Sequence, residues 1–137
     1  MNVRLADERE LNRINELRKQ LLLHDSVCDI WKDPEQDIAV AELDGEVLGY
    51  AILHHIIFAE TPAMLERDFL NVDEICVDEA FRGQGIAKAM LGFIREYAVK
   101  KGFRRVELCV WEFNRNALAI YEAAGFHPYK HSMEIII

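Results

Sequence analysis

No excess of positive charge, no membrane-length apolar run, no paired cysteines and no repeats occur in these 137 residues. Lysine and arginine number 16 against 24 aspartates and glutamates, a formal net charge of −8. A nucleic-acid-binding face needs the opposite balance, so no nucleic-acid partner is expected. An acidic surface serves solubility, and it also suits a cationic small substrate. Cys28, Cys76 and Cys109 are odd in number, far apart and outside any CxxC pattern. They read as buried thiols in a reducing compartment. The opening residues MNVRLADERE are charged and carry no apolar leader core. The longest apolar run, YAILHHIIFA at residues 50–59, is too short to cross a membrane and contains His54 and His55. A cytoplasmic protein with no membrane partner is predicted. With no low-complexity linker, residues 1–137 form one predicted domain.

What is present is 51% apolar and 29% charged, an ordinary globular balance. NVRLA at residues 2–6 reads as a short strand. Asp7 followed by Glu10 is a capping-box arrangement, and Leu11, Ile14, Leu17, Leu21 and Leu22 keep helical spacing behind it. An irregular stretch follows, punctuated by Asp33-Pro34. Residues 37–43 and 46–58 read as two strands joined by Asp44-Gly45, a hairpin signal. Gly49 marks a candidate bulge. Residues 59–71 read as a loop broken by Pro62, and residues 72–77 as the next strand. From Gly85 the period becomes helical through Ile86, Met90, Ile94, Tyr97 and Ala98, with Lys100 and Lys101 in the last turn and Gly102 as the stop. Residues 103–111 read as a strand. Ala117, Ile120, Tyr121 and Ala124 give a shorter helix stopped by Gly125, and SMEIII at residues 132–137 reads as a closing strand. The order β-α-ββ-β-α-β-α-β makes an α/β (α+β) mixed sheet covered by helices.

Arg82-Gly83-Gln84-Gly85 stands where a strand passes into a helix. A helix start offers free N–H groups and the positive end of the dipole, which together attract anions. A side chain at Gly83 or Gly85 would hold a phosphate away from those donors, and Arg82 adds a cationic fork. The P-loop pattern is absent. The dinucleotide fingerprint lacks its third small residue, which is Lys88 here, although Glu107 lies about 20 residues on. A plain glycine turn before a helix remains the other reading of these residues alone.

The pattern Arg82-x-x-Gly85-x-Ala87 resembles the pyrophosphate-binding motif of the GNAT N-acetyltransferase superfamily. Asn114, Ala117, Tyr121, Gly125 and Phe126 match that family's second signature in register, and the resemblance runs over residues 72–126. It implies a mostly antiparallel sheet with one splayed parallel strand pair and helices on both faces. It implies acetyl-CoA as co-substrate, held between the splayed strands, with no metal. Backbone groups of Ile75 and Val77 would pair with the pantetheine arm. The N–H groups of Arg82, Gly83, Gln84, Gly85, Ile86, Ala87 and Lys88 would take the pyrophosphate. Asn114, with Ala117 in the same signature, would lie near the pantetheine end. Tyr121 would protonate the departing thiolate, and the Val77 N–H would face the developing oxyanion.

Transfer to an amine also needs a base, because an ammonium is not a nucleophile. Asp73 and Glu74 lie near the splay. Strand neighbours face opposite ways, so one of the two is expected to reach the substrate. Family members that act on protein N-termini use a glutamate on the later strand, where this chain has Cys109; Glu112 is a more distant carboxylate. His54 and His55 are not spaced to share a metal ion. Either could line the acceptor cleft, and Trp31 is a further acceptor contact or a hydrophobic anchor. The expected activity is acetyl transfer to a primary amine of a small molecule. The alternatives are a protein N-terminus or lysine as acceptor, or a non-catalytic acyl-CoA sensor on the same fold. The apolar closing strand suits a homodimer interface, and a monomer is equally compatible.

Overall fold

The computed structural model describes residues 1–21 and 36–137. Five strands, β1 (Asn2–Leu5), β2 (Gln36–Leu43), β3 (Glu46–Phe58), β4 (Arg67–Val77) and β5 (Val106–Leu108), lie in that order in one sheet. Neighbours are antiparallel except β4 and β5, which are parallel. Helix α1 (Leu11–Leu21) covers one face. Helices α2 (Ile86–Lys101) and α3 (Arg115–Ala123) cover the other.

Local chemistry sets most of these boundaries. The Asp7 capping box forms: its carboxylate accepts from the Arg9 N–H at 3.0 Å, and its own N–H donates to Glu10 at 2.8 Å. Behind it, Ile14 and Leu17 are fully buried against Val40, Val47, Tyr50, Ile52 and Cys76. Asp44 and Gly45 both take positive φ, 52° and 81°, as a two-residue hairpin turn requires. On the opposite face Ile86, Met90, Leu91, Ile94 and Ala98 of α2 pack on Ala51, Leu53, Leu70 and Val72. Gly49 explains itself by contact: a Cβ there would stand 3.0 Å from the Cys76 carbonyl oxygen and 3.1 Å from Met90 Sδ. The expected bulge lies beside it, where Ala41 pairs with Gly49 but Glu42 pairs with Val47.

Three expectations are corrected. β4 begins at Arg67, not Val72; Phe69 and Leu70 are buried, but their alternation is masked by charged neighbours. β5 is three residues long, not nine. Residues 132–137 form no strand, because no strand among the described residues pairs with them. The thiols also divide: Cys76 is buried, Cys109 is exposed, and Cys28 lies outside the described residues, as does Trp31.

Candidate active site

The parallel ladder between β4 and β5 stops after three pairs: Leu70 with Val106, Asn71 with Glu107, Val72 with Leu108. From Asp73 to Val77, β4 keeps its β3 neighbour but has no strand on the β5 side. The ladder ends because β5 ends, so the β5-side edge of β4 lies open beyond it; Asp73 is the first residue past this junction, called the fork below. Here β4 also carries a bulge. Ile52 pairs with Glu74 and Leu53 with Val72, so Asp73 is the extra residue.

That bulge overturns the expectation that Asp73 and Glu74 face opposite ways. An extra residue in one strand breaks the alternation at that point. Val72 and Ile75 face the α2 side, while Asp73 and Glu74 both meet side chains on the α1 side. Their surroundings differ. Glu74 is held by Arg18, with both carboxylate oxygens 3.0 Å from Nε and one 2.8 Å from Nη2, and it accepts from the Tyr50 hydroxyl at 2.9 Å. Burial and the adjacent Glu74 charge push the Tyr50 phenol well above its ordinary range, so it stays a donor. Asp73 sits among shorter, polar neighbours. Asn71 donates to it at 2.6 Å and Gln36 at 3.3 Å, and His54 Nδ1 stands 3.5 Å away. Its side chain is 28% exposed. Sequence reading missed Arg18, Tyr50, Gln36 and Asn71. Arg18 and Glu74 are 56 residues apart, and nothing local couples them.

Beyond Val77 the chain turns through Asp78, whose carboxylate caps a 3-10 turn (Glu79–Phe81) and pairs with Arg13 at 2.8 Å. Those bonds, led by the Ala80 N–H, hold the Asp78 carboxyl below the usual range. Arg82 folds back, its Nε donating to the Val77 carbonyl at 3.1 Å. Gly83 and Gly85 take φ of +80° and +81°, and a Cβ at either would meet nothing within 4 Å. The space in front of the α2 start is thus open. The helical ladder begins with Ala89 N–H to the Gly85 carbonyl at 3.1 Å, so the amides of Ile86, Ala87 and Lys88 precede it. Fork and glycine junction are contiguous along β4 and α2. An open strand edge suits an extended amide arm, and open helix-start amides suit a diphosphate, so these residues fit a CoA ester.

Tyr121 and Asn114 belong to α3 and its cap. Asn114 is the N-cap, its side-chain oxygen accepting from the Ala117 N–H at 3.3 Å. Tyr121 packs on the α2-side core, edge to face with Phe126 at 6.1 Å. Its hydroxyl has no hydrogen-bond partner among the described residues. Burial alone raises its pKa, which keeps the phenol protonated at neutral pH. Asp73 and Tyr121 therefore flank the sheet on opposite faces. Glu112 is exposed beyond the end of β5. His55 points to the α2 side, paired with Asp68 at 2.7 Å and edge-on to Phe103. Among the described residues, no three His, Cys, Asp or Glu side chains are grouped as metal ligands, and no helix is long and apolar enough to cross a membrane.

Known proteins resemble this chain in sequence and in fold. The chain is similar to L-ornithine N5-acetyltransferase of Arabidopsis thaliana, 32% identical over 101 residues, covering 72% of this chain and 42% of that protein. Among solved structures it is similar to a mutant BH1408 protein from Bacillus halodurans, with TM-score 0.87 and 22% identity over 100% of this chain and 99% of that one. It is also similar to an aminoglycoside N-acetyltransferase in complex with CoA, with TM-score 0.76 and 20% identity over 99% of this chain and 98% of that one. At these identities the two structures speak for the fold alone. The chain spans between 39% and 62% of the length of the curated relatives it matches. The sequence pattern of the Acetyltransferase (GNAT) family matches residues 5–126. The chain belongs to the Acetyltransferase (GNAT) family.

Proposed function

We propose that the protein is an acetyl-CoA-dependent N-acetyltransferase that acts on the primary amine of a small, cationic molecule. The observation that carries this reading is the β4–β5 fork with Asp73 at its junction and Tyr121 on the opposite face. When bound, acetyl-CoA supplies the activated acetyl group as a thioester. The amides of Ile86, Ala87 and Lys88, behind Gly83, Gln84 and Gly85, hold its diphosphate. The backbone of Ile75 and Val77 pairs with its amide arm. Asn114 has its oxygen committed to the helix cap, so its NH2 is what remains to donate.

Asp73 is the better base of the two carboxylates. Both oxygens of Glu74 are already engaged by Arg18 and Tyr50. Asp73 is partly open, and Asn71 and Gln36 orient it through neutral donors. It accepts the proton that the acceptor ammonium must lose, and its charge favours an incoming cation. The Val77 N–H, fixed by β4, points its dipole at the oxygen that gains negative charge. Tyr121, kept protonated by burial, donates to the leaving sulfur. The net charge of −8 favours the approach of a cation. The likeness to an L-ornithine acetyltransferase supports a small amine over a protein acceptor.

A thiol-release assay with acetyl-CoA and a panel of amines tests this. Diamines and basic amino acids are expected to react faster than peptides with free N-termini. If CoA binds but no amine releases thiol, the chain is an acyl-CoA sensor.

A further inference from the structure

Helix α2 has two ends, and only the first belongs to the ligand cradle. Its 16 residues put Lys101 roughly 22 Å from Ile86. At the Lys101 end an open cleft of about 480 Å³ lies between the helix and the sheet. That volume falls in the roughly 300–1,000 Å³ range of small-molecule sites. Its floor is made of cross-strand neighbours: Asp37 pairs with Leu53, and His55 with Leu70. Leu53 and Leu70 are buried. Tyr97 and Lys101, one helical turn apart, form one wall. Gly102, at φ of +84°, ends the helix and turns the chain back, so that the Phe103 N–H donates to the Ala98 carbonyl at 2.9 Å. Phe103 thereby meets the sheet, edge-on to His55 at 4.6 Å, and makes the second wall.

The charged groups around this cleft are neutralised in place, with one exception. The Tyr97 hydroxyl donates to the Asp37 carboxylate. Burial first, and then that bond, raise the phenol above its ordinary range, so it remains the donor. His55 Nε2 stands 2.7 Å from the Asp68 carboxylate. Lys101 has no carboxylate partner among the described residues; its Nζ lies 5.8 Å over the Tyr97 ring. An apolar floor, two aromatic walls and one uncommitted ammonium suit a ligand that is mostly apolar and carries one negative charge. The neighbouring Asp37 and Asp68 charges disfavour a dianion, which sets a carboxylate ahead of a phosphate.

We propose that this cleft is a second ligand site, and that it takes a small aromatic monocarboxylate. The carboxylate rests on Lys101 Nζ, and the ring lies against Leu53, Leu70 and Phe103. Nothing in the site touches the fork or the glycine junction, so it stands apart from acetyl transfer.

Phenylacetate, titrated by NMR into the full chain saturated with CoA, tests this. The CoA keeps the probe out of the cradle, and the result holds whether or not any amine is acetylated. Phenylacetate should bind with a Kd of about 1 mM or tighter and show ring contacts to Leu53, Leu70 and Phe103. Lys101 is exposed, so its variants keep the fold. Lys101→Gln should bind phenylacetate about fivefold more weakly, and Lys101→Arg as the wild type does. The neutral isostere phenylacetamide should bind the wild type as weakly as phenylacetate binds Lys101→Gln. Absence of saturable binding in the millimolar range overturns the proposal. Equal affinity for phenylacetamide, or for phenylacetate in Lys101→Gln, refutes the carboxylate; ring contacts confined to other residues refute the site.

Discussion

Gly85→Val, read against Gly45→Val, isolates the anion cradle from its strain. Both glycines have φ of +81°, and at both a new Cβ meets no atom within 4 Å. Each substitution therefore forces a branched residue into the left-handed region at about 1–2 kcal/mol, with no clash added. That lowers the melting temperature of a chain this size by roughly 4–8 °C in either variant. The two part company at the ligand. At position 85 the isopropyl group stands in front of the amides of Ile86, Ala87 and Lys88; at position 45 it sits in the β2–β3 turn. A hydrogen bond to a charged group contributes about 1.5–3 kcal/mol, and each 1.4 kcal/mol is tenfold in affinity. Loss of one such bond makes CoA binding roughly ten- to a hundredfold weaker in Gly85→Val, while Gly45→Val binds as the wild type does. Titration calorimetry with CoA and a thermal melt give both numbers. Equal CoA affinity in the two variants would refute the cradle, because strain alone would then explain every change.

Other outcomes follow from the same geometry. Tyr121→Phe should lower turnover by a factor of about 10² to 10⁴ with CoA affinity nearly unchanged, since only the hydroxyl is removed from a packed ring; wild-type turnover would exclude it as the acid. Burial raises the Tyr121 pKa, so its protonated form persists above the ordinary phenol range, and the rate–pH profile should show no basic limb from it below about pH 10. Asp73→Asn should remove the acidic limb of that profile in a protein of normal stability. Glu74→Gln should instead destabilise the fold by about 2 kcal/mol, measured by urea unfolding, because it weakens the hold on a partly buried Arg18; the reverse pattern would assign the base to Glu74. The hydrogen bond from Arg4, then burial opposing it, leaves Glu10 with a lowered pKa. Its contribution is complete above the unfolded carboxyl value near pH 4.5 and is lost as pH falls through the lower folded value. Glu10→Gln should cost about 1 kcal/mol at pH 7, after solvent screening, and progressively less as pH falls below the unfolded carboxyl value; a constant difference would show that the charge is irrelevant.

The parts legible in the sequence are those whose cause is local. The capping box, the Asp44-Gly45 turn and the glycine junction before α2 each need only neighbouring residues, and each formed as read. The parallel β4–β5 pair was implied by resemblance and is present over three residues. What escaped depends on partners distant in sequence. The Asp73 bulge exists only relative to β3, so period-two counting along β4 put the two carboxylates on opposite faces. The Arg18–Glu74 pair joins a helix to a strand 56 residues away. Residues 132–137 read as a strand because composition was all that could be read, whereas a strand needs a second one beside it. Phe69 and Leu70 were lost behind Arg67 and Asp68, whose charges mimic a loop.

The bulge at Asp73 acts as a change of parity within one strand. Below it, even-numbered residues, Leu70 and Val72, face α2; above it, odd-numbered ones, Ile75 and Val77, do. The upper half of β4 thus keeps its apolar side toward α2 only because one residue is uncounted. Removing the extra residue restores simple alternation and leaves what lies beyond on its present face; removing one further along while the bulge stays reverses what lies beyond it. Deletion of Asp73 itself leaves Glu74 in register with the lower half and a carboxylate still on the α1 side. Deletion of Glu74 keeps a carboxylate there too, as Asp73. Between Ile75 and Val77 a lost residue turns the end of the strand over and delivers Asp78 out of phase to the glycine junction. Variation by insertion and deletion is therefore open to this strand at the two carboxylates and closed above them, which is where an acceptor site can be re-cut without moving the ligand cradle.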